Sequence, residues 1–99
     1  MPKVVFTISY TIKQEKREEY LTLMKDMRKH LVENKGKKYN VYEEKGKKNT
    51  FVEIFYCDTM EEFDALEDDQ DETTESFVQR LEEFLQDGKM KYTTLIETV

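Results

Sequence analysis

Asn49-Thr50-Phe51-Val52-Glu53-Ile54-Phe55-Tyr56-Cys57-Asp58 is the stretch whose reading decides the fold. Val52, Ile54 and Tyr56 alternate with Phe51, Glu53, Phe55 and Cys57, and both sets are largely apolar. A two-residue period with apolar residues on both faces marks a central strand covered on both sides. The expectation is that Val52, Ile54 and Tyr56 meet helices, while Phe51, Glu53, Phe55 and Cys57 meet a second subunit. Thr59-Met60-Glu61-Glu62 follows at once. A Thr with a Glu three residues later is a capping box, in which hydroxyl and carboxylate satisfy the free amides of a helix start.

Upstream, Glu44-Lys45-Gly46-Lys47-Lys48 reads as a hairpin loop. It leads back to a weaker strand over Lys38 to Glu44 whose flanking lysines suit a sheet edge. Glu15 to Asn34 changes period: Tyr20, Met24, Met27 and Leu31 form the stripe of an amphipathic helix that stops near Gly36. Lys3 to Ile12 alternates again, with Val4, Phe6, Ile8, Tyr10 and Ile12 against Val5, Thr7, Ser9 and Thr11. Downstream, Phe63 and Leu66 give a short helical stripe. The acidic run Glu67 to Glu72 then breaks the periodicity, because like charges at helical spacing repel. A helix restarts at Thr73 or Thr74, and its stripe of Phe77, Val78, Leu81, Phe84 and Leu85 continues to Gln86. Met90 to Val99 forms the last strand.

The order β-α-β-β-α-β, with its second helix interrupted, is an α+β, ferredoxin-like arrangement with a four-stranded antiparallel sheet. Right-handed crossovers place both helices on one sheet face. The first and third strands should be central and the second and fourth should be edges. The helix-free face, carrying Phe51, Phe55, Cys57 and Val5 beside Thr7 and Glu53 in this reading, would be exposed in a lone chain. Contiguous apolar surface of that kind implies a partner, and a two-fold homodimer through the helix-free sheet face is the simplest one. Residues 1–99 read as a single domain.

The chain of 99 residues carries 38% charged and 37% hydrophobic residues and a net charge of −6. A duplex nucleic acid would be repelled by that surface, and no arginine-rich stripe offsets it. No apolar run approaches the roughly 18 residues of a membrane span, and the first residues lack the apolar core of a signal peptide. The lone Cys57 has no intramolecular disulfide partner. These features point to a cytoplasmic protein with no nucleic-acid or membrane partner.

The hydroxyl-rich first strand, the long helix ending near Gly36, NTFVEIFYCDTMEEF and the closing helix FVQRLEEFL together resemble the antibiotic-biosynthesis-monooxygenase-like family of dimeric α/β barrels. The resemblance lies in pattern and layout over nearly the whole chain. It implies a dimeric barrel with a small-molecule pocket, but not one activity, since the superfamily holds cofactor-free oxygenases, heme-degrading enzymes, isomerases and members without known activity. Where the heme-degrading branch has an Asn, a Trp and a His ligand, this chain has Thr7, one of Phe55 to Cys57, and Leu81. Its one histidine, His30, falls near the end of the first helix, where a cation suits the helix dipole. Heme degradation is therefore not expected, nor is any cofactor or metal.

The cofactor-free oxygenase branch deprotonates a phenolic substrate between sheet and helices. Of the polar groups this branch uses, the sequence offers tyrosines: Tyr10, Tyr42, Tyr56 and Tyr92. A buried phenol can orient a substrate oxygen, or simply sit in the core with its hydroxyl bonded. Tyr10, Tyr56 and Phe77 are the candidate substrate-binding residues. Glu53 and Tyr56 are the candidate catalytic ones, Glu53 because burial would raise its pKa toward that of a general acid or base. Its alternative is a structural ion pair across the dimer with Lys91 or another base. Cys57 reads as a small buried residue. The acidic run reads as a solvated loop, with a divalent cation or a basic partner protein as the alternative. Two functions stay open: a small-molecule-binding barrel with cofactor-free monooxygenase-like chemistry, and a non-catalytic homodimeric binding or interaction protein.

Overall fold

The computed structural model describes residues 2–69 and 71–99, so Gln70 of the acidic run lies outside the described residues. The elements are β1 (Val4–Thr11), α1 (Arg17–Lys29), β2 (Tyr39–Glu43), β3 (Thr50–Cys57), α2 (Met60–Asp68), α3 (Glu72–Glu82) and β4 (Lys91–Ile96). A 3-10 turn (Gln14–Lys16) leads into α1, and a π-helical turn (His30–Asn34) ends it. The strands form one antiparallel sheet in the order β2-β3-β1-β4. The fold is α+β and ferredoxin-like, with β1 and β3 central and β2 and β4 at the edges, as the apolar content of the strands implies.

Each helix has a local cause. The Tyr20, Met24, Met27 and Leu31 stripe is buried, with Leu23 beside it. Gly36 stops the chain beyond the π-helical turn in a left-handed conformation, φ +66°, that costs a glycine little. Thr59 caps α2 by accepting from the Glu62 amide at 3.1 Å. The Glu62 carboxylate reaches back one residue further than the usual box, to the Asp58 amide at 3.3 Å. Asp71 caps α3 by accepting from the Thr73 amide, which starts that helix at Glu72. The acidic run is thus divided: Glu67 and Asp68 end α2 and Glu72 begins α3.

The last helix is shorter than its apolar stripe. It ends at Glu82, yet Phe84 and Leu85 are buried. The chain there extends against the end of β1: Lys13 donates to the Phe84 carbonyl, Gln86 donates to the Thr11 carbonyl, and Ile12 bridges Leu85. Apolar spacing alone does not separate a last helical turn from such an extended docking.

The assignment of the two β3 faces is corrected by the sheet register. Val4, Phe6, Ile8 and Tyr10 of β1 stand opposite Cys57, Phe55, Glu53 and Phe51. Phe51, Phe55, Tyr10, Tyr20, Tyr39 and Leu81 belong to one core, and Cys57 packs with Val4 and Phe63 in a second. Phe51, Glu53, Phe55 and Cys57 therefore face the helices. Val52, Ile54 and Tyr56 lie on the helix-free face with Val5, Thr7, Ser9 and Thr11. Tyr42, opposite Val52, and Leu95, opposite Val5, complete that face. Tyr42, Tyr56 and Leu95 are exposed there, while Thr11 and Thr50 bond to each other at 2.9 Å across the strands. The helix layer also leaves β4 thinly covered: Tyr92 is exposed even though its ring stacks on Phe6.

Candidate functional site

The helix side of β1 and β3 presents Phe6 and Phe55, directly opposite one another with ring centroids 6.2 Å apart. Leu31, from the end of α1, and Leu66, from α2, close the sides of a cleft of about 270 Å³ above them. Lys37, Glu67, Asp69, Asp71 and Thr74 form its rim. A hollow of about 280 Å³ along α3 shares Asp69, Asp71 and Thr74 with this cleft and continues it outward. Aromatic and aliphatic walls with a few polar groups at the mouth suit a small, flat organic molecule.

The rim charges are mutually engaged. Asp69 accepts from both Lys35 and Lys37 at 3.2 Å, and these contacts hold its carboxyl below the usual range. His30 Nε2 lies 2.5 Å from Asp71 Oδ2, and Thr74 donates to the same oxygen at 2.6 Å. The Thr74 and His30 hydrogen bonds, in that order, hold the Asp71 carboxyl well below the ordinary carboxylate range. The other ring nitrogen of His30 lies 3.2 Å from the Asn34 amide, and the ring packs beside Phe77. The chain's one histidine therefore joins the end of α1 to the cap of α3 at the wall of the cleft.

A second polar group lies one rung along the sheet, behind Phe55. Glu53 is 1% exposed. Tyr39 donates to its Oε1 at 2.6 Å. Tyr10 and Tyr20 share a 2.7 Å hydroxyl–hydroxyl bond beside it. Burial raises the Glu53 carboxyl pKa, and hydrogen bonds from Tyr39 and Tyr10 oppose that rise in part. Burial is also the main cause that raises the pKa of each of the three phenols. These groups bond to one another, so they are arranged as core polar groups.

The candidate residues read from the sequence are not gathered at one place. Tyr10 and Glu53 share the buried cluster. Phe77 packs on the core beside His30. Tyr56 is on the opposite side of the sheet, although it touches a hollow of about 240 Å³ at the end of β3 that shares Lys37, Phe55 and Leu66 with the cleft. Lys91 stands opposite Ser9 on the helix-free face, so it is across the sheet from Glu53 within the chain. Phe6, Leu31 and Leu66 line the cleft and were legible as core positions, without a signal separating a cleft wall from filled core. Among the described residues, no group of three or more His, Cys, Asp or Glu side chains is gathered to hold a metal ion, and no helix is long and apolar enough to cross a membrane.

No protein-family model and no curated protein sequence matches the chain. Solved structures do. A conserved protein from Methanosarcina mazei Go1 superposes with a TM-score of 0.82 at 16% identity, over 99% of this chain and 95% of that one. A Caulobacter crescentus CB15 protein assigned as an antibiotic biosynthesis monooxygenase gives 0.80 at 11% identity, over 98% and 90%. SnoaB, a cofactor-independent oxygenase from Streptomyces nogalater, gives 0.71 at 13% identity, over 94% and 90%. An uncharacterized NIPSNAP domain protein from Burkholderia xenovorans gives 0.74 at 17% identity, over 97% and 95%, and a shared fold does not by itself fix an activity. At identities between 11% and 17%, the likeness is one of structure: the chain has the fold of antibiotic biosynthesis monooxygenase-like proteins.

Proposed function

We propose that the chain, as one domain over residues 1–99, is a small-molecule-binding protein that works as a homodimer. Its ligand is a flat organic molecule held over Phe6 and Phe55. The observation that carries this reading is the cleft of about 270 Å³ between the helices and those two rings. The dimer forms through the helix-free face of Val52, Ile54, Tyr56, Tyr42, Val5 and Leu95, whose exposed apolar groups a second copy would cover. A cofactor-free, monooxygenase-like reaction of a phenolic ligand is the activity that agrees with the SnoaB likeness. The protein is placed in the cytoplasm, with no nucleic-acid or membrane partner.

One observation favours the second reading, a non-catalytic homodimeric binding protein. The buried phenols spend their hydroxyls on one another and on Glu53, and none of the three lines the cleft. A thermal-shift screen of small phenols and other aromatic metabolites tests binding, since a ligand of the native state raises its melting temperature. Hits should vanish in Leu66→Trp, which fills the cleft. Hits unaffected by Leu66→Trp would defeat the assignment of the cleft. Oxygen uptake with a bound phenol and no added cofactor separates the enzyme from the binding protein.

A further inference from the structure

The middle of β3 presents the Glu53 carboxyl group to the interior, where it is 1% exposed. Directly opposite Glu53 stand Ile8 on β1 and Val41 on β2, both apolar. The titratable groups that face it are Tyr10 from β1, Tyr39 from β2 and Tyr20 from α1. Arg28 acts on Tyr39, and Arg17 and Glu43 act on Tyr20, one step further out. Among the described residues, no lysine, arginine or histidine is within ion-pair distance of Glu53. An ionised carboxylate in this place would lose its water and gain no opposite charge, which is far more costly than burying a hydrogen-bonded neutral acid.

We propose that Glu53 is a neutral, hydrogen-bonded acid in the folded chain, and that losing its proton as the pH rises loosens α1 from the sheet. Tyr20 is the element of α1 that takes part in this polar cluster, through its bond to Tyr10. Its ring also packs on Phe51 at 4.4 Å between centroids. A charge placed beside these phenols would draw in water, and the route for that water runs between α1 and β2. A groove of about 190 Å³ lined by Tyr20, Met24, Asn40 and Phe51 already opens there.

The test compares the natural chain with Glu53→Gln, which keeps the size and hydrogen-bonding capacity of the acid but cannot ionise. Above the ordinary carboxylate range the folded chain holds one more proton at this position than the unfolded chain. Its folded-to-unfolded ratio should therefore fall by up to about tenfold per pH unit until Glu53 ionises in the fold. Denaturant titrations between about pH 5 and about pH 9 should show that slope in the natural chain and its loss in Glu53→Gln, with parallel curves overturning the proposal. The protection of α1 amides, corrected for intrinsic exchange, should drop with rising pH only in the natural chain. An equal drop in both would refute the loosening of α1. Infrared spectra of natural protein carrying ¹³C-labelled glutamate give a reading even where Glu53→Gln does not fold. A carboxylic-acid carbonyl band should be present at neutral pH and vanish on unfolding, and carboxylate bands alone would overturn a neutral Glu53.

Discussion

Tyr39 and Glu53 meet across β2 and β3, not as direct partners but on the diagonal. Tyr39 pairs with Phe55 and Val41 pairs with Glu53, yet the Tyr39 hydroxyl reaches Oε1 of Glu53 at 2.6 Å. The same ring packs against Phe55 at 4.7 Å between centroids, so one side chain satisfies the buried acid and supports the floor of the cleft.

Tyr39→Phe keeps the ring and deletes the donor. A buried acceptor left without its partner costs about 1–3 kcal/mol, so the variant should lose stability of that order in urea titration while ligand binding over Phe55 is retained. A loss indistinguishable from zero would mean that another donor satisfies the acid.

Phe55→Ala removes a ring that is buried against Phe6 and Tyr39. Deleting a core aromatic typically costs about 3–5 kcal/mol. The fold should weaken by that amount in chemical denaturation. Any ligand seated on the ring should be lost, even under conditions where the variant is fully folded.

Arg17 holds the end of β2 through Glu43, with two contacts of 2.6 and 2.8 Å, and the Asn49 amide donates to the same carboxylate. Hydrogen bonds from Arg17, then from the Asn49 amide, lower the Glu43 carboxyl from 4.5 to about 2. Below its ordinary range the unfolded chain takes up a proton that the folded chain does not. The stabilisation from this pair is therefore present above pH 4.5 and is lost as the pH falls toward 2. Glu43→Gln should flatten that part of the acid limb of the stability profile, leaving the neutral and alkaline limbs unchanged in shape.

Asn49 takes φ +69° at the end of the hairpin loop, and its side chain accepts from Arg17 at 2.9 Å. Asn49→Gly tolerates the backbone and loses only the side-chain contact. Asn49→Ala loses the contact and also strains the left-handed backbone by roughly 1–2 kcal/mol. The alanine variant should therefore melt below the glycine variant, and the reverse order would show that the hairpin relaxes to another turn.

Ile54→Lys places a charge at the centre of the helix-free face. Sedimentation velocity should show the natural chain as a dimer and this variant as a monomer with an intact far-UV spectrum. A natural chain that sediments as a monomer at all accessible concentrations would remove the dimer from the proposal.

The sequence by itself determined the order of elements, the central place of β1 and β3, the α1 stripe, the stop at Gly36 and the cap at Thr59. Each follows from local chemistry: period, backbone freedom or a hydroxyl before a carboxylate. Alternation in β3 likewise separated Phe51, Glu53, Phe55 and Cys57 from Val52, Ile54 and Tyr56. What alternation does not carry is which set faces the helices, because both are largely apolar. Tertiary structure decided it. Pairing with β1 puts Phe55 on Phe6, and Tyr39, Tyr10 and Tyr20 arrive from β2, β1 and α1 to give the acid a polar setting inside the core. The cleft has the same origin, since Leu31, Leu66 and Thr74 come from separate helices and meet over the two rings only after the chain has folded.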